Sequence, residues 1–140
     1  MTRILISGFE PELEQDLEEK LVELENEVEM APFDEYMDDK FLEFIPDIVL
    51  MNFSDMNLAT KMTKKLIELD STACIFAVAD KMDNVSNDNL YNSGVRVVLD
   101  RPSDLDKFLD SLYGACNDLD HENCIGCWKF NRYDNLQKLA

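Results

Sequence analysis

The sequence has few basic side chains and no long apolar run. Only 13 of its 140 residues are lysine or arginine, against 30 aspartates and glutamates, and the formal net charge is -17. Because nucleic acids and anionic membranes are bound through lysine and arginine contacts to phosphate, this shortage argues against both as direct partners. A protein with a basic surface is a better match. No segment approaches the roughly 20 apolar residues of a transmembrane helix, so we expect no membrane span.

Signals for export, for flavin binding and for catalysis are also missing. The start, from Met1 to Ser7, lacks the charged and apolar regions of a secretory signal, and we expect a cytoplasmic protein. An electron-transfer protein of flavodoxin type needs a loop of glycines and hydroxyls after its first strand, whereas Ser7 to Pro11 contains an acid and a bulky ring. No Ser-His-Asp, Cys-His or paired-carboxylate arrangement has persuasive spacing, so we predict no enzymatic activity.

Strand-like and helix-like apolar segments alternate along residues 1–116. Strands are predicted at 3–7, 27–32, 47–53, 73–79 and 95–99. Helices are predicted at 34–44, 58–69, 84–92 and 104–116, after a first helix that starts at Pro11 and whose apolar stripe runs to Val28. Gly94 is expected to end the fourth helix in a left-handed cap. This alternation is typical of an α/β fold with helices on both faces of a parallel sheet.

Three short motifs indicate more specifically which α/β fold the chain adopts. The run from Pro46 to Asn52 reads as a buried strand that ends on a polar residue, Glu10-Pro11 follows the first strand, and Arg101-Pro102 follows the fifth. In order and spacing these motifs resemble the receiver domains of two-component response regulators. The resemblance implies a flavodoxin-like, CheY-like sheet of five parallel strands, ordered 2-1-3-4-5, over residues 1–116. Residues 117–140 are then a short C-terminal tail that contains cysteines.

The resemblance also implies which positions would take part in phosphorylation. At these positions the sequence has residue types that differ from those of receiver domains. Asn52 stands in place of the aspartate that accepts phosphate, and an amide lacks the carboxylate oxygen that attacks phosphorus. Gly8 and Phe9 stand where two acids hold Mg²⁺ in the family. Since Mg²⁺ needs several oxygen ligands and these side chains offer none, we predict that the metal site is lost.

Three further positions of the receiver switch are altered. Val78 replaces the serine or threonine that binds the phosphoryl group, and Val98 replaces the aromatic switch residue. Arg101 replaces the lysine that pairs with phosphate, keeping the charge but as a wide planar fork. Asp55 and Asp80 lie near the same rim, and we interpret them as solvated loop acids rather than substitutes for the lost groups.

A receiver without its phosphate ligand should occupy one arrangement constitutively. We therefore predict an atypical, stand-alone, phosphorylation-independent module for protein interaction or signalling, with no cofactor in the receiver site. Its partner would be another protein or a second copy in a dimer. By the resemblance, the interaction face lies on the fourth helix, fifth strand and fifth helix, with the residues Leu90, Tyr91, Arg96, Asp100, Asp104 and Lys107.

The end of the chain offers a second hypothesis. Three of the four cysteines and the single histidine fall close together: Cys116, His121, Cys124 and Cys127. A tetrahedral zinc site with three sulfur ligands and one nitrogen is sterically reasonable, but structural zinc sites usually join two pairs of ligands across a longer loop. An iron-sulfur cluster, a disulfide between the last two cysteines and free thiols stay open. The alternative function is a regulator that senses metal or redox state through this tail.

The last residues, 128–140, combine aromatic and leucine side chains with basic ones. Lys129, Arg132 and Lys138 are the basic residues of this segment. Opposite charges make contact with the acidic remainder of the chain, or with a second copy, electrostatically plausible. Cys74 lies inside a predicted strand and is expected to be a buried apolar residue.

Overall fold

The computed structural model describes residues 3–32, 34, 37–79, 84–101 and 104–118, and within these ranges strands and helices alternate. The elements are β1 Arg3–Ser7, α1 Pro11–Glu23, β2 Glu27–Ala31, α2 Met37–Phe44, β3 Ile48–Asn52, α3 Met56–Leu69, β4 Cys74–Ala79, α4 Asn84–Ser93, β5 Val97–Asp100 and α5 Leu105–Asp118. All strand pairs are parallel, and the order across the sheet is β2-β1-β3-β4-β5. The predicted flavodoxin-like sheet is confirmed.

Helices cover both faces of this sheet. Every residue of β3 and β4 is buried, as expected of central parallel strands packed on two sides. Alternate side chains of β1 enter different cores: Ile4 and Ile6 pack with α1 and α5, whereas Leu5 packs with α2, α3 and α4. Cys74 is 3% exposed in the first of these cores, as predicted.

The first helix is shorter than its apolar stripe suggested. It ends at Glu23, and Val28 lies in β2 opposite Ile4, so the prediction that Val28 belongs to the helix stripe was wrong. Glu25 has a φ of 62° and closes a Schellman motif, in which its N–H donates to Val22 at 2.9 Å and the N–H of Asn26 donates to the Leu21 carbonyl at 3.1 Å. This cap has a glutamate at the position where glycine is usual, so the sequence did not indicate that the helix ends here.

Two other boundaries differ for similar local reasons. Helix α3 starts at Met56 rather than at residue 58, because the Asp55 carboxylate accepts from the backbone N–H groups of residues 57 and 58 at 3.0 and 3.3 Å. Asp55 is exposed, but it is a helix cap and not only a solvated loop acid. At the end of α4, Gly94 takes the predicted left-handed conformation with a φ of 122°. The cap also uses Val95, whose N–H donates to the Leu90 carbonyl, so β5 starts later than residue 95.

Candidate functional site

Asn52 lies at the carboxyl edge of the sheet, where the central strands end side by side. It is the last residue of β3, and its β4 neighbour is Val78. Met51, the residue before it, is opposite Ser7, the last residue of β1. In parallel α/β sheets, ligands bind at this edge. The structure therefore places the residue that the sequence singled out at the position where chemistry is expected.

Both ends of the Asn52 amide are engaged. Its Nδ2 donates to the Gly8 carbonyl at 3.0 Å, and its Oδ1 accepts from Nη2 and Nε of Arg101 at 2.8 and 3.2 Å. Nη2 of Arg101 also donates to the Phe53 carbonyl at 3.3 Å. We call this set of contacts among Gly8, Asn52 and Arg101 the amide clasp. It joins the residue after β1, the last residue of β3 and the residue after β5.

The clasp depends on the amide having both a donor and an acceptor. A carboxylate at position 52 could still accept from Arg101, but it would have no hydrogen for the Gly8 carbonyl. Two oxygen atoms would then face each other at the distance that now separates Nδ2 from the carbonyl, and the Gly8 carbonyl would lose its partner. Asparagine is thus the side chain that satisfies the groups around it.

Gly8 and Phe9 form the turn after β1 and carry no charged side chain. Gly8 has a φ of 84°, a left-handed conformation that suits glycine, and this turn precedes a ring directed into the core. Phe9 is 8% exposed and meets Phe108 of α5 edge-to-face, with ring centroids 6.3 Å apart. Such aromatic pairs add to the stabilisation from burial itself. The positions after β1 therefore extend the hydrophobic core toward the carboxyl edge.

The neighbouring positions include the apolar Val78 and the oppositely charged Glu10 and Arg101. Val78 is fully buried in the same core as Phe9. A cleft of about 380 Å³ beside the clasp is lined by Glu10, Ser54, Arg101 and neighbouring residues. The Arg101 guanidinium opposes a cation in this cleft, whereas the Glu10 carboxylate favours one. Within the described ranges, no group of three or more His, Cys, Asp or Glu side chains could hold a metal ion.

The predicted interaction face needs one correction. Leu90 is completely buried in the core under α2, α3 and α4, because the otherwise polar helix α4 turns this leucine toward the sheet. It cannot contribute to an exposed face. The other residues of the face are half-buried or exposed; these are Tyr91, Arg96, Asp100, Asp104 and Lys107.

Two of these exposed residues also have structural roles that the sequence did not indicate. The Tyr91 hydroxyl accepts from the backbone N–H of Val98 at 3.2 Å and so connects α4 to β5. The Asp104 carboxylate accepts from the N–H of Lys107 at 2.8 Å at the start of α5. Val98, which the resemblance to receiver domains places at the aromatic switch position, is half-buried. The face is thus held together by its own polar groups.

The metal ligands proposed for the tail fall outside the part of the chain that the structure describes. This is true of His121, Cys124 and Cys127 and of the Cys116 side chain, although the backbone of Cys116 belongs to α5. Asp80 is also outside the described residues. Helix α5 continues to Asp118, two residues beyond the predicted domain boundary. The zinc site and the boundary at residue 116 stay predictions.

Comparison with known structures identifies the fold. No protein-family model and no curated protein sequence matches this chain. A two-component response regulator from Clostridium difficile superposes with a TM-score of 0.72 at 20% sequence identity, and the match covers 84% of this chain and 98% of that one. This chain has the receiver-domain fold. At such identity the likeness concerns the fold, and it agrees with the resemblance read from the motifs.

Other structures with the receiver fold give the same result. A CheY-like protein from Pseudomonas aeruginosa PAO1 matches with a TM-score of 0.65 at 11% identity, over 82% of this chain and 99% of that chain. An orphan response regulator of H. pylori matches with a TM-score of 0.64 at 16% identity, over 81% and 94%. None of the helices in the described ranges has the length and apolar character to cross a membrane.

Proposed function

We propose that this chain is a receiver-fold signalling protein that acts through protein contacts and does not accept phosphate at residue 52. The amide clasp is the observation that carries the proposal. Its Asn52 oxygen is already held by two donors of Arg101, and an amide oxygen is a poor nucleophile toward phosphorus. The fold supports a role in signalling, and the clasp supports independence from phosphorylation.

Of the described residues that line the cleft beside Asn52, Glu10 offers the one carboxylate and Ser54 the one hydroxyl. Charge that develops on the phosphoryl oxygens must be stabilised by a metal ion and by positioned donors. The position of one metal-binding acid is taken by Phe9, which is packed on Phe108, and the position of the hydroxyl donor is taken by the buried Val78. The substitution Asn52→Asp alone therefore does not supply the metal-binding acid or the hydroxyl donor.

The clasp suggests how the protein works without a ligand. In a phosphorylated receiver, the phosphoryl group would be the element that joins the ends of β1, β3 and β5. Here Gly8, Asn52 and Arg101 make that connection with their own atoms. A protein shifts between two arrangements only when a ligand binds them differently, so this chain would hold one arrangement. Partners would then bind a surface whose shape does not change.

The surface we assign to partners is the face of α4, β5 and α5 with Tyr91, Arg96, Asp100, Asp104 and Lys107. Tyrosine and arginine are common at the centres of protein interfaces. The net charge of -17 favours a partner with a basic surface and opposes direct binding to nucleic acid. A second copy of the chain is the other partner of this proposal, and the cytoplasm is the compartment that we assign.

Treatment with acetyl phosphate and Mg²⁺, followed by intact mass measurement, tests the site. We expect no added phosphoryl group on the wild type or on Asn52→Asp, while an active receiver treated in parallel gains one. An added group on the wild type that is lost in Asn52→Ala would overturn the proposal.

Light scattering after size exclusion, with Tyr91→Ala and the control Leu42→Ala on α2, tests self-association through the proposed face.

The second candidate function is a metal- or redox-sensing regulator that uses Cys116, His121, Cys124 and Cys127. The spacing of Cys124 and Cys127, with a glycine between them, favours it because this turn directs two sulfurs to one ion. Zinc is the cofactor that we assign to this hypothesis. It does not conflict with the first proposal, because the two use different parts of the chain.

A further inference from the structure

A groove lies between α1 and α5, and Arg101 lines it together with residues of both helices. It has a volume of about 270 Å³, and its floor and walls are apolar side chains of Phe9, Leu13, Val78, Leu105 and Phe108. The floor residues Phe9, Val78 and Phe108 are at most 8% exposed, so the groove is a small apolar recess rather than an open surface. The groove lies on the opposite face of the sheet from α2, α3 and α4.

The rims of this groove are acidic. Asp16 of α1 and Asp104 at the start of α5 line its edges. Helix α1 carries six acids and one lysine. The Arg101 guanidinium also lines the groove, so a covering segment should place apolar side chains over the floor and its positive charge beside Asp16 on α1.

Residues 128–140 have this combination. Their apolar side chains are Trp128, Phe130, Tyr133, Leu136 and Leu139. They also carry three basic residues and a single acid, Asp134, in a chain whose net charge is -17. This is the one stretch of comparable length that is both aromatic and basic in the printed sequence. Its charge is opposite to that of the groove rims.

The segment can reach the groove from the end of α5. Phe108 lines the groove, and the helix continues for ten residues to Asp118, a distance of about 15 Å at the usual rise of an α-helix. Residues 119–127 are nine residues, which can span up to about 30 Å when extended. The connection is therefore long enough for Trp128 to return to the level of Phe108 on the same chain.

We propose that residues 128–140 fold back onto the groove between α1 and α5 of the same chain, with the Trp128 ring in the apolar groove and the basic side chains at the acidic rims. The segment then covers the groove, including Asp104, and leaves Tyr91, Arg96, Asp100 and Lys107 to partners. This inference is independent of whether residue 52 accepts phosphate.

Trp128 is the single tryptophan of the chain, so its fluorescence reports directly on its surroundings. In the full chain we expect blue-shifted emission, and quenching by acrylamide several-fold weaker than for free tryptophan, at all protein concentrations. Asp16→Arg should shift the emission to the red, because it repels the basic segment from the rim. The control Glu43→Arg makes the same charge change at an exposed site on α2 and should leave the emission unchanged.

Three outcomes would overturn the proposal. Emission typical of a solvent-exposed indole would mean that the groove is not occupied by this segment. A blue shift that grows with protein concentration would assign the groove to a second copy of the chain. Equal responses of Asp16→Arg and Glu43→Arg would mean that the segment contacts another acidic surface. As a second measurement, Trp128→Ser should accelerate amide hydrogen exchange in α1 and not in α3, and equal exchange in α1 would contradict the proposal.

Discussion

The guanidinium of Arg101 holds the side-chain oxygen of Asn52 with two hydrogen bonds, of 2.8 Å from Nη2 and 3.2 Å from Nε. The two residues are 49 positions apart in the sequence. An amide needs a donor that can reach its oxygen from the side, and the planar fork of arginine presents two such donors where lysine presents one compact group. We propose that both residues differ from those at the corresponding receiver positions, and that this contact explains the two differences together.

Replacement of Arg101 by lysine tests the energetic weight of this contact. Arg101→Lys keeps the charge but cannot donate twice to Asn52, so we expect the free energy of unfolding to fall by about 1 kcal/mol. Urea denaturation measures the change. Lys61→Arg, on the exposed side of α3, is the control and should have no measurable effect. Equal stability of Arg101→Lys and wild type would show that the clasp is not a stabilising contact.

The two glycines near helix ends predict effects of opposite sign. Gly94 has a φ of 122°, and an added Cβ would lie 2.7 Å from Cγ1 of Ile67, so Gly94→Ala should destabilise the fold by about 2 kcal/mol. Gly114 lies within α5 with nothing within 4 Å of an added Cβ, so Gly114→Ala should stabilise it by about 0.5 to 1 kcal/mol. Thermal unfolding of both variants measures the difference. Similar shifts in the two proteins would contradict the assigned cap.

The strands were predictable because their signals are local. Central parallel strands are apolar on both faces, and the continuous runs before Asn52 and around Phe76 are visible in the sequence. The order of the strands is not local, and it followed from the resemblance carried by the motifs after β1, β3 and β5. The end of α1 was missed because a glutamate, Glu25, occupies the left-handed position at which the sequence would be expected to show glycine.

The site was predictable in position but not in its contacts. Asn52 was identifiable because a polar residue ends an apolar run. Its hydrogen bonds to Gly8 and Arg101 join residues 44 and 49 positions away, and periodicity carries no information on such pairs. Leu90 was misplaced because the rest of α4 is polar, and a short polar helix has a weak apolar stripe from which to read its buried side.

The backbone conformation of Ile45 indicates a position where a substitution should stabilise the fold. It follows α2 with a φ of 53°, a conformation that is strained for a β-branched residue, and its side chain is 67% exposed. Ile45→Asn should therefore raise the free energy of unfolding by up to about 1 kcal/mol, because asparagine accepts the left-handed conformation more readily. Leu42→Asn, at an exposed site within α2, is the control and should lower stability. A loss of stability in Ile45→Asn would indicate that the isoleucine side chain makes a contact that offsets its strain.

Glu14 predicts a dependence of stability on pH. Its pKa is raised, first by burial and then by the Glu18 carboxylate, so the folded protein holds this proton more tightly than the unfolded chain. The contribution of the Glu14 carboxyl group to the stability of the fold is favourable at low pH and is lost as the pH rises through the raised pKa. Glu14→Gln should therefore be more stable than the wild type at neutral pH, with a smaller difference in acid. Denaturation at several pH values measures this trend.

Asp38 provides the opposite case and serves as the control. Its pKa is lowered by the hydrogen bond from Lys65, with 2.9 Å between the carboxylate oxygen and Nζ. Its contribution is present above the pKa of the unfolded chain and disappears as the pH falls through the lowered value. Asp38→Asn should thus lose stability at neutral pH and approach the wild type in acid. The same pH trend for both variants would contradict the assigned causes.

The cysteines near the end of the chain predict a metal content. If Cys116, His121, Cys124 and Cys127 form one tetrahedral site, the purified protein should contain one zinc ion per chain by elemental analysis. Cys124→Ser should abolish the zinc, because it removes one thiolate ligand from the proposed set. Cys74→Ala is the matched control, since this cysteine is buried in the core of the sheet, and it should retain the zinc. Zinc that survives Cys124→Ser, or an iron-sulfur absorption spectrum in its place, would reject the site in this form.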